Sequence, residues 1–294
     1  MNLTPTASRH ARAVAALAPL LLVFLLSACA SVPEPRLFPH TATDITTRTD
    51  ALLPADVILL GEQHDAAEHQ DIHRQVIEHL AVRGQLAAVV LEMAEAGSST
   101  ATLKSNSTQL QVQAALHWNN KSWPWVAYWP AVMAAVKAGV PVLGGNLPVV
   151  QMREAMADAQ LDQRLPGPAL KAQQQLIRQG HCGLLPETQI TPMTRVQIAR
   201  DVSIARTVAG TVLPGKTVVV LAGSGHVNRT LGVPQHLPPG MKLKAVQLRA
   251  GPAPAETNAR QQAETKAAYD AVWSTPALPE QDYCEGLQEK LKAK

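Results

Sequence analysis

The sequence predicts an α/β fold: one mostly parallel β-sheet covered by helices on both faces, in a single domain. Three observations predict it. Short apolar runs alternate with longer stretches of helical periodicity, the pattern of strands joined by crossover helices. The runs are apolar at nearly every position, as strands buried on both faces are. Each of the first four is followed at once by glycine or charged residues, and in such sheets ligands sit beyond the carboxyl ends of the strands.

Taken in order, Asp56-Val-Ile-Leu-Leu-Gly61 is the first strand. A helix is expected from Asp65 to Arg83, where Ile72, Val76, Ile77 and Leu80 recur at helical spacing. His73, with Asp71 and Glu78, is expected on its solvated face. Further strands are predicted at 86–91, 140–144, 217–222 and 242–249, with helices near 125–138, 149–159, 168–179 and 189–211. Residues 251–266 read as a surface linker or weak helix, and 270–275 as an edge strand. The domain is expected to span 51–294, its 251–294 tail folding back.

The amino-terminal end predicts the compartment. Arg9, His10 and Arg12 precede an apolar stretch from Ala13 to Leu26, broken by Pro19. That is shorter than the about 20 residues a transmembrane helix needs, and residues 1–28 read as a targeting signal. Leu26-Ser27-Ala28-Cys29 resembles the lipobox of bacterial lipoproteins, which implies cleavage before Cys29 and acylation of that residue. Ala30 and Ser31 lack the Asp that retains such lipoproteins in the inner membrane. The resemblance thus implies a lipid anchor in the outer membrane, with the domain in the periplasm. An ordinary secretory signal with a chance Cys is the alternative. Residues 29–50, rich in Pro and Thr, are expected to be a flexible tether.

The net charge of +3 falls to +1 once Arg9 and Arg12 are removed with the signal. With neither a basic cluster nor an aromatic-basic motif, nucleic acid is not an expected partner. The roughly 265 residues left can bury a core without cross-links. Cys182 and Cys284 remain after Cys29, and an oxidising compartment favours a disulfide between them. Two free buried thiols are the alternative.

The chemistry lies just past the strands. The first delivers Gly61-Glu62-Gln63-His64-Asp65, the second Glu92, the third Gly144-Gly145-Asn146, and the fourth Gly223-Ser224-Gly225-His226. With 17 Gly and 10 His in 294 residues, chance supplies about 0.6 Gly-x-x-His motifs. The chain has two, each directly after an apolar run, so two His, two Glu and an Asn should meet at one sheet edge. His69 follows in the first helical turn and is ranked with His64. Ser224 lacks the Gly-x-Ser-x-Gly setting of a hydrolase elbow, and Gly223-Ser-Gly225 lacks the third Gly of a dinucleotide loop.

Two Gly-x-x-His motifs with a Glu after the second strand resemble the superfamily containing Tiki, TraB, ChaN and the erythromycin esterases. Glu68-His69, Trp118…Trp123-Pro124-Trp125…Tyr128, Gly180-His181-Cys182-Gly183…Pro186 and Val272-Trp273-Ser274-Thr275-Pro276…Tyr283-Cys284-Glu285 are similar to the ChaN branch. The resemblance spans roughly residues 50–286. Two departures are Ser203-Ile204-Ala205, where a Met-Ala pair is expected, and Trp129 between Tyr128 and Pro130.

The resemblance implies haem binding by an iron-uptake lipoprotein, as a possible homodimer. Haem iron accepts an axial Tyr or His, and Tyr128 stands among Trp118, Trp123, Trp125 and Trp129, aromatic surface suited to a porphyrin face. Tyr128 is therefore the best axial candidate, a core helix whose aromatics merely pack being the alternative. His64, His69, His226, Glu62, Glu92, Asn146 and Trp125 are expected around it. The alternative is a metal-dependent hydrolase. There a divalent metal would sit on His64 and His226, Glu62 or Glu92 would act as general base, and Arg200 would steady a carboxylate or oxyanion. For Arg200 a surface ion pair is the plainer reading. His69-x-x-x-His73 also has zinc-site spacing.

Overall fold

A computed structural model describes residues 42–252 and 258–292. The signal, Cys29 and the tether up to residue 41 lie outside the described residues. The chain first forms α1 (Ala42–Asp50), β1 (Val57–Glu62), α2 (Ala67–Val82) and β2 (Leu86–Glu95). Next come α3 (Gln109–Ala115), α4 (Trp125–Lys137), β3 (Val142–Asn146), α5 (Met152–Ala157), α6 (Gly167–Gly180) and α7 (Glu187–Ala209). It closes with β4 (Thr217–Gly223), β5 (Leu243–Ala250), α8 (Ala259–Ala268), β6 (Ala271–Thr275) and α9 (Tyr283–Lys292). Among the described residues, no helix is long and apolar enough to cross a membrane.

The six strands form one parallel sheet in the order β3-β2-β4-β1-β5-β6. The predicted α/β class, with helices on both faces, is what the chain adopts. Alternation along each strand feeds two cores. Ile58, Leu60, Val89, Leu91, Val219 and Leu221 pack against Ile72, Val76, Leu80 and Val132 of α2 and α4. Val57, Leu59, Val90, Val218 and Val220 pack against Ile204, Ala205 and Val208 of α7.

From β1 the chain crosses toward β2, and from the adjacent β4 it crosses the other way toward β5. Neighbouring strands whose connections diverge leave a crevice at their carboxyl ends. The two Gly-x-x-His motifs are the carboxyl ends of these two strands. Their glycines are demanded by crowding rather than by unusual backbone angles. A Cβ on Gly61 would stand 2.3 Å from Val227 Cγ2, and one on Gly223 2.9 Å from His64 Nε2.

The tether expectation needs correcting at its end. Residues 42–50 are helical: Ile45 and Leu52 are buried, Arg48 pairs with Asp44, and His79 of α2 pairs with Asp50 at 2.8 Å. Runs of Thr lower helix propensity, which hides this element from a periodicity reading. At the other end β6 is a parallel edge strand on β5, and Cys182 and Cys284 form a disulfide.

Candidate functional site

Glu62, the last residue of β1, is fully buried, which is unusual for a carboxylate unless hydrogen-bonded. It has three donors. Tyr128 Oη donates to its Oε1 at 2.6 Å, His64 Nδ1 lies 2.7 Å from the same oxygen, and Gln70 Nε2 donates to Oε2 at 3.3 Å. Burial pushes the Glu62 carboxyl up, while the His64 and Tyr128 hydrogen bonds hold part of that rise back. A carboxylate oxygen accepts, so His64 carries a proton on Nδ1, and its Nε2 faces Glu92 Oε2 across the crevice at 4.0 Å, close against Gly223. The His64 side chain is 41 % exposed, and the edge of Trp123 abuts it, ring centroids 4.8 Å apart. Burial works against the His64 charge, but the Glu62 hydrogen bond and the Glu92 charge outweigh it and raise its pKa.

Glu92 projects from β2 where that strand's register against β3 shifts between Leu91 and Glu95, the kind of irregularity that re-aims a side chain. The Gly223 N–H donates to its Oε2 at 2.7 Å. His226 sits between two acids, Nδ1 2.6 Å from Asp201 and Nε2 3.4 Å from Glu92. Burial opposes the imidazolium, yet the charges of Glu92 and Asp201 push its pKa up to about 10. In return, although burial raises Glu92, the His226 charge and hydrogen bond bring it down to about 2. Burial leaves Asp201 at about 6. His226 is thus a fixed cation with both nitrogens engaged, and it has no lone pair to offer.

These groups line one open crevice of about 880 Å³, together with Arg200, Arg249 and Tyr283, within the size range of small-molecule sites. The structure therefore brings Glu62, His64, Glu92, His226 and Arg200 together. The other expected residues stand apart. Tyr128 is 2 % exposed and lies beneath Glu62 rather than on the crevice wall. Asn146 donates to the Glu92 carbonyl at 2.8 Å and acts on the site through that backbone. Trp125 is buried, its Nε1 donating to Gln109 and its ring against Trp118. Arg200 forms no ion pair among the described residues, contrary to the plainer expectation, and its buried Nε has no hydrogen-bond partner.

The two helix histidines are corrected. His69 accepts from the Gln63 N–H at 2.9 Å and bonds Thr275 Oγ1 at 3.0 Å through Nε2, so it ties β6 to the first strand's end and is closed to a ligand. His73 is not on a solvated face: it is fully buried, both ring nitrogens lacking hydrogen-bond partners. Asp71 and Glu78 pair with Arg74 at the surface. Among the described residues, no group of three or more His, Cys, Asp or Glu is arranged to hold a metal ion.

Burial lowers His69 to about 4 and His73 to about 3. A histidine whose folded pKa lies below its unfolded value of about 6.5 stabilises the fold above pH 6.5 and loses that contribution as pH falls toward the folded pKa. Urea unfolding should therefore show stability dropping by on the order of 5 kcal/mol between pH 6.5 and 4, about half of it from each histidine. His73→Leu should about halve that slope. An unchanged slope in the variant would place the acid sensitivity elsewhere.

Sequence reasoning missed Asp201, Gln197, Gln70, Arg249 and Tyr283. For Asp201 a signal existed. Ile190, Thr194, Ile198, Asp201, Ala205 and Val208 make the buried stripe of α7, and a carboxylate on a buried stripe requires a partner.

A family model described as haem-binding uptake, Tiki superfamily, ChaN matches residues 49–237. Among solved structures, ChaN of Campylobacter jejuni, which binds haem cofacially, is 24 % identical with a TM-score of 0.62, over 77 % of this chain and 89 % of that one. The type III effector HopBA1 is 13 % identical, TM-score 0.43, over 86 % and 100 %. An erythromycin esterase, EreC, is 15 % identical, TM-score 0.43, over 71 % and 73 %. No curated protein matches.

Proposed function

This chain belongs to the ChaN family of haem-binding uptake proteins in the Tiki superfamily, and from that premise we propose that its crevice binds haem with His64 Nε2 as the iron ligand. One observation carries this reading: the Tyr128–Glu62–His64 chain of hydrogen bonds, 2.6 and 2.7 Å long, which fixes the ring through Nδ1 and leaves Nε2 in the crevice without a hydrogen bond among the described residues. Imidazoles that hold iron or zinc donate their other N–H to a carboxylate or carbonyl, which fixes the tautomer and raises basicity. Tyr128, the ligand expected from the sequence, then serves as the support of Glu62. Trp123 offers the neighbouring apolar edge.

The compartment and assembly belong to the same proposal. Cys29 would carry the lipid, the outer membrane would hold the anchor, and a homodimer would close over the crevice. The lipobox at 26–29 and the Cys182–Cys284 bridge support export to an oxidising space.

A second reading has one observation in its favour. A histidine oriented by a buried carboxylate, in one crevice with an arginine that has no ion pair among the described residues, is also the arrangement of a general base with an oxyanion partner, so ester or peptide hydrolysis stands as the alternative.

Haemin titration followed by visible absorption tests the first. A saturable Soret shift at one haem per chain is expected, and non-saturating association would overturn it. Tyr128→Phe separates the two candidate ligands. It should retain haem within about tenfold, less than the 10–100-fold typical of losing a whole supporting partner, with the ferric spectrum unchanged. A spectrum that loses its axial ligand in this variant would return the iron to Tyr128.

A further inference from the structure

The crevice is lined by the carboxylates Glu62, Glu92 and Asp65, by the His226 cation paired with Glu92, and by two arginines, Arg200 and Arg249. Arg200 rises from α7, which packs on β2 and β3. Arg249 rises from the carboxyl end of β5, three strand intervals from β2, or about 14 Å at about 4.8 Å per interval. Neither has a carboxylate partner among the described residues. Arg200 Nε is buried without a hydrogen bond, and the acid beside it in sequence, Asp201, is committed to His226. Among the described residues, the Arg249 guanidinium donates to the Gln247 side-chain oxygen at 3.0 Å and to no carboxylate. Partly buried guanidiniums that lack an anion are costly to keep, and their planar fork matches a carboxylate in two-point geometry.

We propose that Arg200 and Arg249 form a carboxylate clamp that receives the two propionates of the bound porphyrin. The inference rests on the haem reading and extends it. Ferric haem has a core of net charge about +1 and two propionates of about −1 each at neutral pH. Its core would sit against His64, and its propionates suit the two arginines that lack a carboxylate partner among the described residues. Turned the other way, the propionates would meet Glu62 and Glu92. The clamp therefore sets which way round the macrocycle enters, and it distinguishes free porphyrin acids from esterified or amidated ones.

The test compares haemin with haemin dimethyl ester, which keeps iron and ring but lacks the carboxylates. The wild-type protein should bind haemin about 100-fold more tightly than the ester, about tenfold for each charged hydrogen-bonded pair. Arg200→Gln and Arg249→Gln should each weaken haemin about tenfold and leave the ester unchanged. Arg200→Lys and Arg249→Lys, which keep charge but not the fork, should fall between. Equal affinities for acid and ester in the wild type, or equal losses for both ligands in the variants, would overturn the clamp while leaving haem binding intact. If haemin does not saturate the wild type, the haem reading fails, and a simple dicarboxylate then decides the clamp. Glutarate should raise the wild-type melting temperature and fail to raise that of the double Gln variant. No rise in the wild type would remove the clamp as well.

Discussion

His64→Ala is expected to lower haemin affinity on the order of 100-fold or more and to erase the Soret feature of the ligated iron, since loss of even an outer partner costs 10–100-fold. The side chain is 41 % exposed, so its removal leaves no void in either core, but the buried Glu62 loses one of its donors and the unfolding curve should shift by about 1–3 kcal/mol. Added imidazole should restore the spectrum, which a merely structural histidine would not allow. Glu62→Gln should fall between, on the order of tenfold, because the amide can still hold the ring but no longer raises its basicity. The hydrolase reading gives the opposite ranking. There Glu62→Gln and His64→Ala would both abolish turnover of a model ester, and haemin would bind both variants as it binds the wild type. Haemin affinity in His64→Ala equal to the wild type would remove His64 from the iron.

Asp201→Ala should destabilise the protein by about 3 kcal/mol, the scale for leaving one member of a buried ion pair without its partner. Asp201 is 1 % exposed and bonds His226 at 2.6 Å, so the variant strands an imidazolium that only Glu92 then balances. Asp201→Asn, which keeps a hydrogen-bond acceptor, should lose about half as much. His226 has its pKa raised from 6.5 to about 10. Its contribution is therefore complete below pH 6.5 and disappears as pH rises through 10. Urea unfolding of the wild type should show that decline on the alkaline side, and Asp201→Ala should show a shallower one. A loss under about 0.5 kcal/mol, the level of an ordinary surface change, would mean that the acid and the imidazole are not coupled.

The sheet was legible because its strands are short apolar runs bounded by glycine and charge, which few other structures accommodate. The edge strand at 271–275 was legible for the same reason. Elements α1, α3 and α9 were not. Helix α1 is threonine-rich, α3 is seven residues held by the Thr108–Gln111 capping box, and α9 is polar and carries Cys284 of the disulfide in its first turn. The site divides along another line. Residues at or just past the carboxyl-terminal part of a strand, Glu62, His64, Glu92 and His226, could be placed because the chain direction alone sends them to one edge. Residues that reach the crevice from helices or from the tail, Asp201, Arg249 and Tyr283, depend on which face each element turns inward. Tyr128 shows the limit most clearly. Its aromatic setting suggested a ligand-facing ring, whereas the same aromatics bury it.

The position of β1 in the sheet has a consequence for the order of assembly. Its two neighbours are β4 and β5, the fourth and fifth strands to leave the ribosome. At about 5–20 residues per second, the central strand waits roughly 10 to 30 seconds for its first partner. Throughout that interval both of its edges are open, and residues 58–60, buried on both faces in the finished sheet, are bare. The crevice is thus a late product: Glu62 and His64 have no opposite wall until Gly223 and His226 arrive. A nascent chain of this topology keeps its central strand unpaired until nearly its whole length has been made.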